Sequence, residues 1–384
     1  MFSLHRPVPS VTFEQCFGTN KLLKPLCSDY EGGGILDKGG QSIEKFVACD
    51  LISPFHIIAA LSAASALCKS SASVQLHMLP NLNKKYAIEK GTFKYRDLSI
   101  SITHSKIKKF NFKSFIESLI KFIFLLIAKL LFRKNKYCVA HHTYFNFFTL
   151  NNLTFREIIQ CKTITIEEGI GTYGGLFHHL RAGRREKKHY PVLKYLGRCF
   201  FSLPLFVSMN WKILTGENQE HVDAVVIFLA EKFYHKEIIK LRTWITKQQF
   251  QKVFILIGSP LVELYGVSSS ELLQLLHIIL KEVNSRGGTL ILKRHPLERN
   301  DKLYRKVGIH VIGDEIPGEI LIRAIEPDAI IGYNSGLLII GNAVFGITSY
   351  TIHKILPKQI QEKIFPEAWL RRFIERHTTP LSER

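Results

Sequence analysis

The chain has 384 residues, enough for two domains that each bury a core of their own. Hydrophobic residues make up 46% and charged residues 22%, which excludes a disordered or fibrous chain. Lysine and arginine total 52 against 32 acids, and this net charge of +20 favours an anionic partner: nucleic acid, an acidic membrane leaflet or an acidic substrate.

The seven cysteines, Cys16, Cys27, Cys49, Cys68, Cys138, Cys161 and Cys199, are odd in number and scattered, with no CxxC pair and no adjacent Cys/His set. They read as reduced thiols of a cytosolic protein, not as a disulfide framework or a metal site. The opening MFSLHRPVPSVTFEQ has no apolar core of the signal-peptide kind, so the catalytic body is expected in the cytoplasm.

In chain order, residues 1–44 are rich in Gly, Pro and Ser and read as an irregular extension, with EGGGILDKGG as a loop. EKFVACD is an apolar run of strand length ending at Asp50, followed by LISP and a helix, FHIIAALSAASALCKS. Strand, tight loop and helix open an α/β domain. VQLHML and ISITHS are predicted strands, and KYCVAHHT and CKTITIEEG are strands that carry polar residues to their C-terminal ends. In an open parallel sheet those ends hold the ligand.

A second α/β series is expected from about residue 223: strand DAVVIFLA, strand KVFILIGSP ending in Gly258-Ser259-Pro260, and helix SSSELLQLLHIILKEVNSRGG with Ser at its start and Gly287 at its stop. Strands TLILKRHP, GIHVIG and DAIIGYNS follow, and residues 350–384 are basic and helical in pattern. The predicted divisions are 1–44, 45–220, 221–349 and 350–384.

Residues 112–132, FKSFIESLIKFIFLLIAKLLF, predict a helix whose charges Lys113, Glu117, Lys121 and Lys129 form one narrow polar stripe. Its longest uncharged run, Phe122 to Ala128, is far short of the ~20 apolar residues needed to span a bilayer. An amphipathic helix lying in the interface of an acidic membrane fits the pattern, and a helix buried between domains is the alternative. The Phe-rich segment Arg198 to Leu214 reads as a second contact or as the interdomain region, and the basic run Arg181, Arg184, Arg185, Lys187, Lys188, Lys194 and Arg198 as a solvated loop or as a surface attracted to anionic lipid headgroups or an acidic acceptor glycan.

Three short signals carry chemistry. Glu167-Glu168-Gly169 ends a strand, where a carboxylate held near an acceptor hydroxyl can take its proton as the hydroxyl attacks, although an acidic pair before a glycine is also a common turn. Lys293-Arg294-His295-Pro296 ends another strand; histidine donates to a leaving phosphate, and proline fixes the turn. Ile316-Pro317-Gly318-Glu319 puts a carboxylate at a helix start, where it accepts from a ribose diol. Tyr333-Asn334-Ser335-Gly336 presents a hydroxyl and backbone N–H groups to a phosphate, and Ser335 alternatively reads as an ordinary N-cap.

In this order, the acidic pair with glycine, His295-Pro296 and Ser335 resemble the three motifs of bacterial sialyltransferases. KFVACDLISPFHIIAAL and ILIGSPLVELYGVSSSELL are similar to the first strand–turn–helix and the donor-domain start of the lipooligosaccharide sialyltransferase and bacterial polysialyltransferase group. The likeness covers roughly residues 45–345, with Asn334-Ser335-Gly336 standing where the group has a Ser/Thr pair.

The resemblance implies a GT-B arrangement of two facing Rossmann-like domains with parallel sheets: an acceptor domain over 45–220, which includes the helix 112–132, and a CMP-sugar donor domain over 221–349. It implies inverting, metal-independent transfer of sialic acid from CMP-sialic acid, with no cofactor, to a cell-surface glycan such as lipooligosaccharide or capsular oligosaccharide. The enzyme would sit peripherally on the inner membrane. Glu167 is the first choice as general base, with Glu168 the other member of the pair. His295 serves the leaving phosphate, and Gly258, Ser259, Pro296, Glu319, Asn334 and Ser335 form the donor site, with Ser53 and Gly169 on the acceptor side. A transferase using another nucleotide sugar, CMP-Kdo included, is the runner-up, followed by a non-catalytic membrane- or glycan-binding protein. A nucleic-acid binder is disfavoured, because its signature motifs are lacking and the basic residues lie beside Phe-rich segments.

Overall fold

A computed structural model describes residues 43–51, 53–78, 86, 88–104, 112–131, 136–141, 153–167, 209–299, 301–364 and 368–381. Residues 1–42 of the expected extension 1–44, the basic run, most of the segment 198–214, Glu168 and Gly169 lie outside the described residues, and Ile43 and Glu44 already belong to a strand.

The first sheet contains β1 (Ile43–Leu51), followed by helix α1 (Pro54–Leu67), β2 (Cys68–Met78), β3 (Gly91–Tyr95) and β4 (Leu98–His104). Helix α2 (Phe112–Leu131), β5 (Tyr137–His141), α3 (Phe155–Ile159), β6 (Cys161–Ile166) and β7 (Met209–Trp211) follow. The strand order is β3-β4-β2-β1-β5-β6-β7, parallel throughout except for β3, which hairpins back onto β4 at the edge. Phe46, Val47 and Ala48 of β1 are all buried, because a central parallel strand is covered on both faces and reads as an unbroken apolar run. Helix α1 is buried from Ile57 to Ala64. It ends at Leu67, earlier than expected: Cys68, Lys69 and Ser70 begin the long strand β2.

Two helices, α4 (Gln219–Phe233) and α5 (His235–Lys247), lead to the second sheet. There the sequence expectation fails: DAVVIFLA belongs to α4 and is not a strand. Val222, Val225, Val226, Leu229 and Ala230 are buried at i, i+3, i+4, i+7 and i+8, the helical period hidden inside an apolar run. Helix α4 packs on α1.

The second sheet is built from β8 (Val253–Ile257), α6 (Leu261–Tyr265), α7 (Ser269–Ser285), β9 (Thr289–Lys293), α8 (Asp301–Lys306), β10 (His310–Ile312), α9 (Gly318–Ile325), β11 (Ala329–Gly332) and α10 (Gly336–Ala343). The chain closes with β12 (Ser349–Thr351), α11 (Lys358–Ile364), α12 (Ala368–His377) and β13 (Thr379–Pro380). The expected start and stop of α7 hold: Ser268 caps it in a reciprocal capping box with Glu271, and Gly287 turns out of it at φ +70°. The tail is not purely helical, because β13 pairs with β12 and completes the sheet.

The second sheet is wholly parallel, in the order β10-β9-β8-β11-β12-β13. Numbered by appearance, this is the Rossmann order 3-2-1-4-5-6, and the first sheet has the same order once its edge hairpin strand β3 is set aside. Two Rossmann-like parallel sheets, as in the GT-B type, are what the motifs implied. Each has its topological switch point beside its first strand, at the carboxyl ends of β1 and β8.

Helix α2 divides its apolar residues. Phe122 and Leu125 are buried against Val47, Val139 and Ile158. Ile116, Ile120, Ile123, Phe124 and Ile127 are 37–46% exposed, and they follow helical spacing along one face. The expected polar stripe is broken at Lys121, which is buried and donates to Glu117 at 2.6 Å.

Candidate active site

A cavity of about 260 Å³ opens where the two switch points meet. The first half of the chain supplies Ser53, Pro54, Phe55, Tyr86 and Leu214. The second half supplies Gly258 after β8, the run Lys293 to Pro296 at the end of β9, Ile316 to Glu319 at the start of α9, and Ser335 to Leu337 at the start of α10. The N-termini of α1, α9 and α10 therefore line one cavity. Ser53 caps α1 by accepting from the His56 amide at 3.3 Å, with Pro54 in the first turn. Ser335 caps α10 by accepting from the Leu337 amide at 3.2 Å. Helix N-termini carry partial positive charge, so their convergence favours an anionic ligand.

The His295 ring is held by the main chain of its own turn. His295 Nδ1 accepts from the Leu297 amide at 3.1 Å, so the neutral ring carries its proton on Nε2. An Nε2–H is the form that donates to a phosphate oxygen. Lys293 is buried at the cavity and donates to the carbonyls of Gly313 at 2.9 Å and Arg294 at 3.4 Å. Neighbouring Arg294 pairs instead with Asp314 at 2.6 Å and Asp301 at 3.4 Å, so its charge is largely matched within the protein. Lys293 is thus the better placed of the two to balance a ligand's charge.

Glu319 begins α9 on the cavity wall, and burial pushes its carboxyl above the usual range. Its own backbone N–H and the Lys293 ammonium act in the opposite direction. Tyr86 faces it from the other half, with its phenol raised to about 12, first by burial and then by the Glu319 and Asp314 charges. The Tyr234 hydroxyl, just past the end of α4, donates to the Tyr86 carbonyl.

Of the residues singled out in the sequence, Ser53, Gly258, His295, Pro296, Glu319 and Ser335 come together around the cavity. Ser259 is buried beside Glu298 and Tyr304. The Asn334 amide is turned to Tyr265 and the Ile364 carbonyl, at 3.2 and 3.4 Å. Glu167 does not line the cavity: it is buried one layer behind, and its Oε2 accepts from the amides of Ile213 at 2.6 Å and Leu214 at 2.8 Å. Leu214 does line the cavity, so Glu167 braces its wall.

Sequence reasoning missed Tyr86, Leu214, Phe55 and Glu298. The first three have no local motif, and Glu298 sits inside the His-Pro motif as an ordinary turn residue.

The family model for alpha-2,8-polysialyltransferase matches residues 88–354 of the chain. The chain belongs to that family. As a family member it is a sialyltransferase, a glycosyltransferase that takes a nucleotide-sugar donor and a glycan acceptor. Glu167, His295, Glu319 and Ser335 all fall within the matched stretch, and Ser53 lies before it.

Among solved structures, the chain is similar to the α/β-galactoside α-2,3-sialyltransferase of Photobacterium phosphoreum. That pair shares 13% identity over 89% of this chain and 98% of the other, with a TM-score of 0.45. A sialyltransferase of Photobacterium damsela is 11% identical over 88% and 81%, with a TM-score of 0.40. The UDP-GlcNAc 2-epimerase of Methanocaldococcus jannaschii is 12% identical over 84% and 91%, with a TM-score of 0.45. At such identities the likeness is one of fold and not of chemistry. No curated protein matches the chain.

Proposed function

We propose that this polysialyltransferase-family protein transfers sialic acid from CMP-sialic acid to a glycan acceptor, with inversion and without a metal. The observation that supports this most is one cavity shared by His295, Lys293, Glu319 and three helix N-termini. A CMP-sugar brings one phosphate and a ribose diol. The phosphate would lie at the start of α10 and beside Lys293, and the diol on Glu319.

In the transfer, an acceptor hydroxyl attacks the anomeric carbon, and the bond from that carbon to the phosphate oxygen breaks. The acceptor's proton goes to a carboxylate of the Glu167/Glu168 pair, with Glu167 the first choice and Glu168 as its alternative. The leaving CMP receives a hydrogen bond, or the proton itself, from His295 Nε2. Gly258 and Pro296 shape the donor side, Ser53 faces it across the cavity, and Gly169 follows the acidic pair. Ser259 and Asn334 act from behind the cavity in this reading.

The acceptor is a cell-surface glycan, lipooligosaccharide or capsular oligosaccharide, reached from the cytoplasmic side of the inner membrane. The exposed apolar face of α2, from Ile116 to Ile127, supports contact with an acidic membrane surface. Among the described residues, no helix is long and apolar enough to cross a membrane.

A thermal-shift panel tests the donor. CMP is expected to stabilise the protein by about 2.7 kcal/mol at a hundredfold excess over its dissociation constant. UDP and GDP should do much less, and an equal response to UDP would reject the CMP assignment.

A further inference from the structure

Glu298, three residues after His295, is nearly fully buried behind the cavity. Its Oε2 accepts from the His295 amide at 2.6 Å, and its Oε1 accepts from the Tyr304 hydroxyl at 2.5 Å. Its own amide donates back to the His295 carbonyl at 3.0 Å, so backbone and side chain together close the turn His295–Glu298. The Ser259 amide is also among the hydrogen bonds that stabilise the carboxylate.

The packing leaves no slack. A Cβ on Gly258 would collide with the Glu298 carboxylate and come within 2.8 Å of the His295 nitrogen and 2.9 Å of the Lys293 carbonyl. Gly258 is therefore needed for the close approach of the β8 and β9 loops, and Glu298 is the group that joins them. Next to this turn, Glu263 of α6 accepts from the Arg299 amide at 2.8 Å.

We infer that Glu298 is the positioning residue of the His-Pro turn: by holding the His295 main chain against the Gly258–Ser259 loop and Tyr304, it aims the imidazole Nε2 at the donor phosphate. This rests on the role proposed above for His295. Burying a carboxylate is costly, and here the burial raises the carboxyl to about 7, with the negative charge of Glu263 adding to the rise. Tyr304 and the amides of His295 and Ser259 oppose that rise. Tyr304, Tyr333 and His295 are the other titratable groups around it. Turn closure alone needs no buried carboxylate, since the main-chain bond already makes it. The carboxylate supplies the two acceptors that the His295 amide and Tyr304 point at.

A double-mutant cycle with Glu298→Ala and His295→Ala separates positioning from general structure. Turnover is measured with CMP-sialic acid and a sialylated oligosaccharide. Glu298→Ala is expected to lower kcat at least tenfold in the wild-type background and less than twofold in the His295→Ala background. Glu298→Gln should recover most of the turnover, because its amide oxygen accepts from the His295 amide and its NH₂ donates to the Tyr304 oxygen. If Glu298→Ala does not melt cooperatively, Glu298→Asp, too short to reach the His295 amide, carries the same cycle.

Equal losses in both backgrounds, or no recovery with Gln, would overturn the inference. If His295→Ala itself turns over at the wild-type rate, the reading of His295 fails first. A tenfold loss in Glu298→Ala would then belong to some other group.

Discussion

On the second sheet, the cavity wall carries Lys293, His295, Glu319 and the N-termini of α9 and α10, and its run Lys293 to Pro296 is tied by side chain or backbone to Gly313, Asp314, Leu297, Glu298 and the β8 loop. On the first sheet, the wall is Ser53–Phe55, Tyr86 and Leu214, with one helix N-terminus and no charged side chain among these lining residues. The difference teaches where pre-organisation is needed. A leaving phosphate develops charge at one point, and fixed donors stabilise it without reorganising. On the reading proposed above, the glycan acceptor would meet the first wall, whose lining is mostly apolar.

The largest expected effect falls on the acidic pair. Glu167→Gln should lower transfer about a hundredfold to ten-thousandfold while CMP still binds, because an amide keeps the two backbone contacts but takes no proton. His295→Ala should lose transfer and CMP affinity together. If Glu168→Gln is dead and Glu167→Gln active, the two glutamates exchange roles and Glu167 is a brace of the first wall only. Wild-type turnover in all three variants would dissolve the contrast between the walls.

Next comes pH, where the comparison of wild type with Glu298→Gln isolates one carboxylate behind the second wall. Glu298 has its carboxyl raised from the ordinary 4.5 to about 7, so the folded state binds a proton more tightly than the unfolded state. Stability on its account is full at low pH and declines as pH rises through that interval, by about 3 kcal/mol in total. Glu298→Gln lacks this decline. Denaturant melts of the two proteins at pH 5 and pH 8 should show the variant gaining on wild type at the higher pH. A constant difference would mean that the carboxylate is better solvated than its burial implies.

A related contrast runs through α2 and separates its two faces. Phe122→Ser empties a buried site and should cost about 3–5 kcal/mol of stability, whatever lipid is present. Ile120→Ser with Ile123→Ser changes only exposed positions, so the melt should barely move while binding to anionic liposomes falls. Liposome binding that survives the exposed pair would assign that face to another partner.

The smallest effect expected is that of EDTA, which should leave turnover within about twofold if Lys293, His295 and the helix N-termini carry the phosphate charge. A loss restored by magnesium or manganese would show that the second wall needs a cation.

Much of the fold was legible in the amino-acid order. Central strands such as Phe46–Ala48, Phe254–Ile257 and Leu290–Leu292 are continuous apolar runs, and α7 carries both of its end signals in local sequence. DAVVIFLA misled because an apolar run fits strand and helix alike, and its packing on α1 and α9 buries residues at period 3.6. Three of the residues that line the cavity were legible for the same local reason: His295, Glu319 and Ser335 each sit at the end of a strand or the start of a helix.

What the sequence by itself determined was therefore local: strand ends, helix caps, the three short motifs and the excess of positive charge. The tertiary structure decided which of these meet. It placed Ser53 and Tyr86 opposite His295 and set Glu167 behind Leu214. It turned Asn334 towards Tyr265, buried Lys121 and Glu298, and left Ile120 and Ile123 exposed. These outcomes depend on contacts between residues far apart in the chain. The spacing of residues along a helix or strand records which side chains share a face, but not what that face will touch.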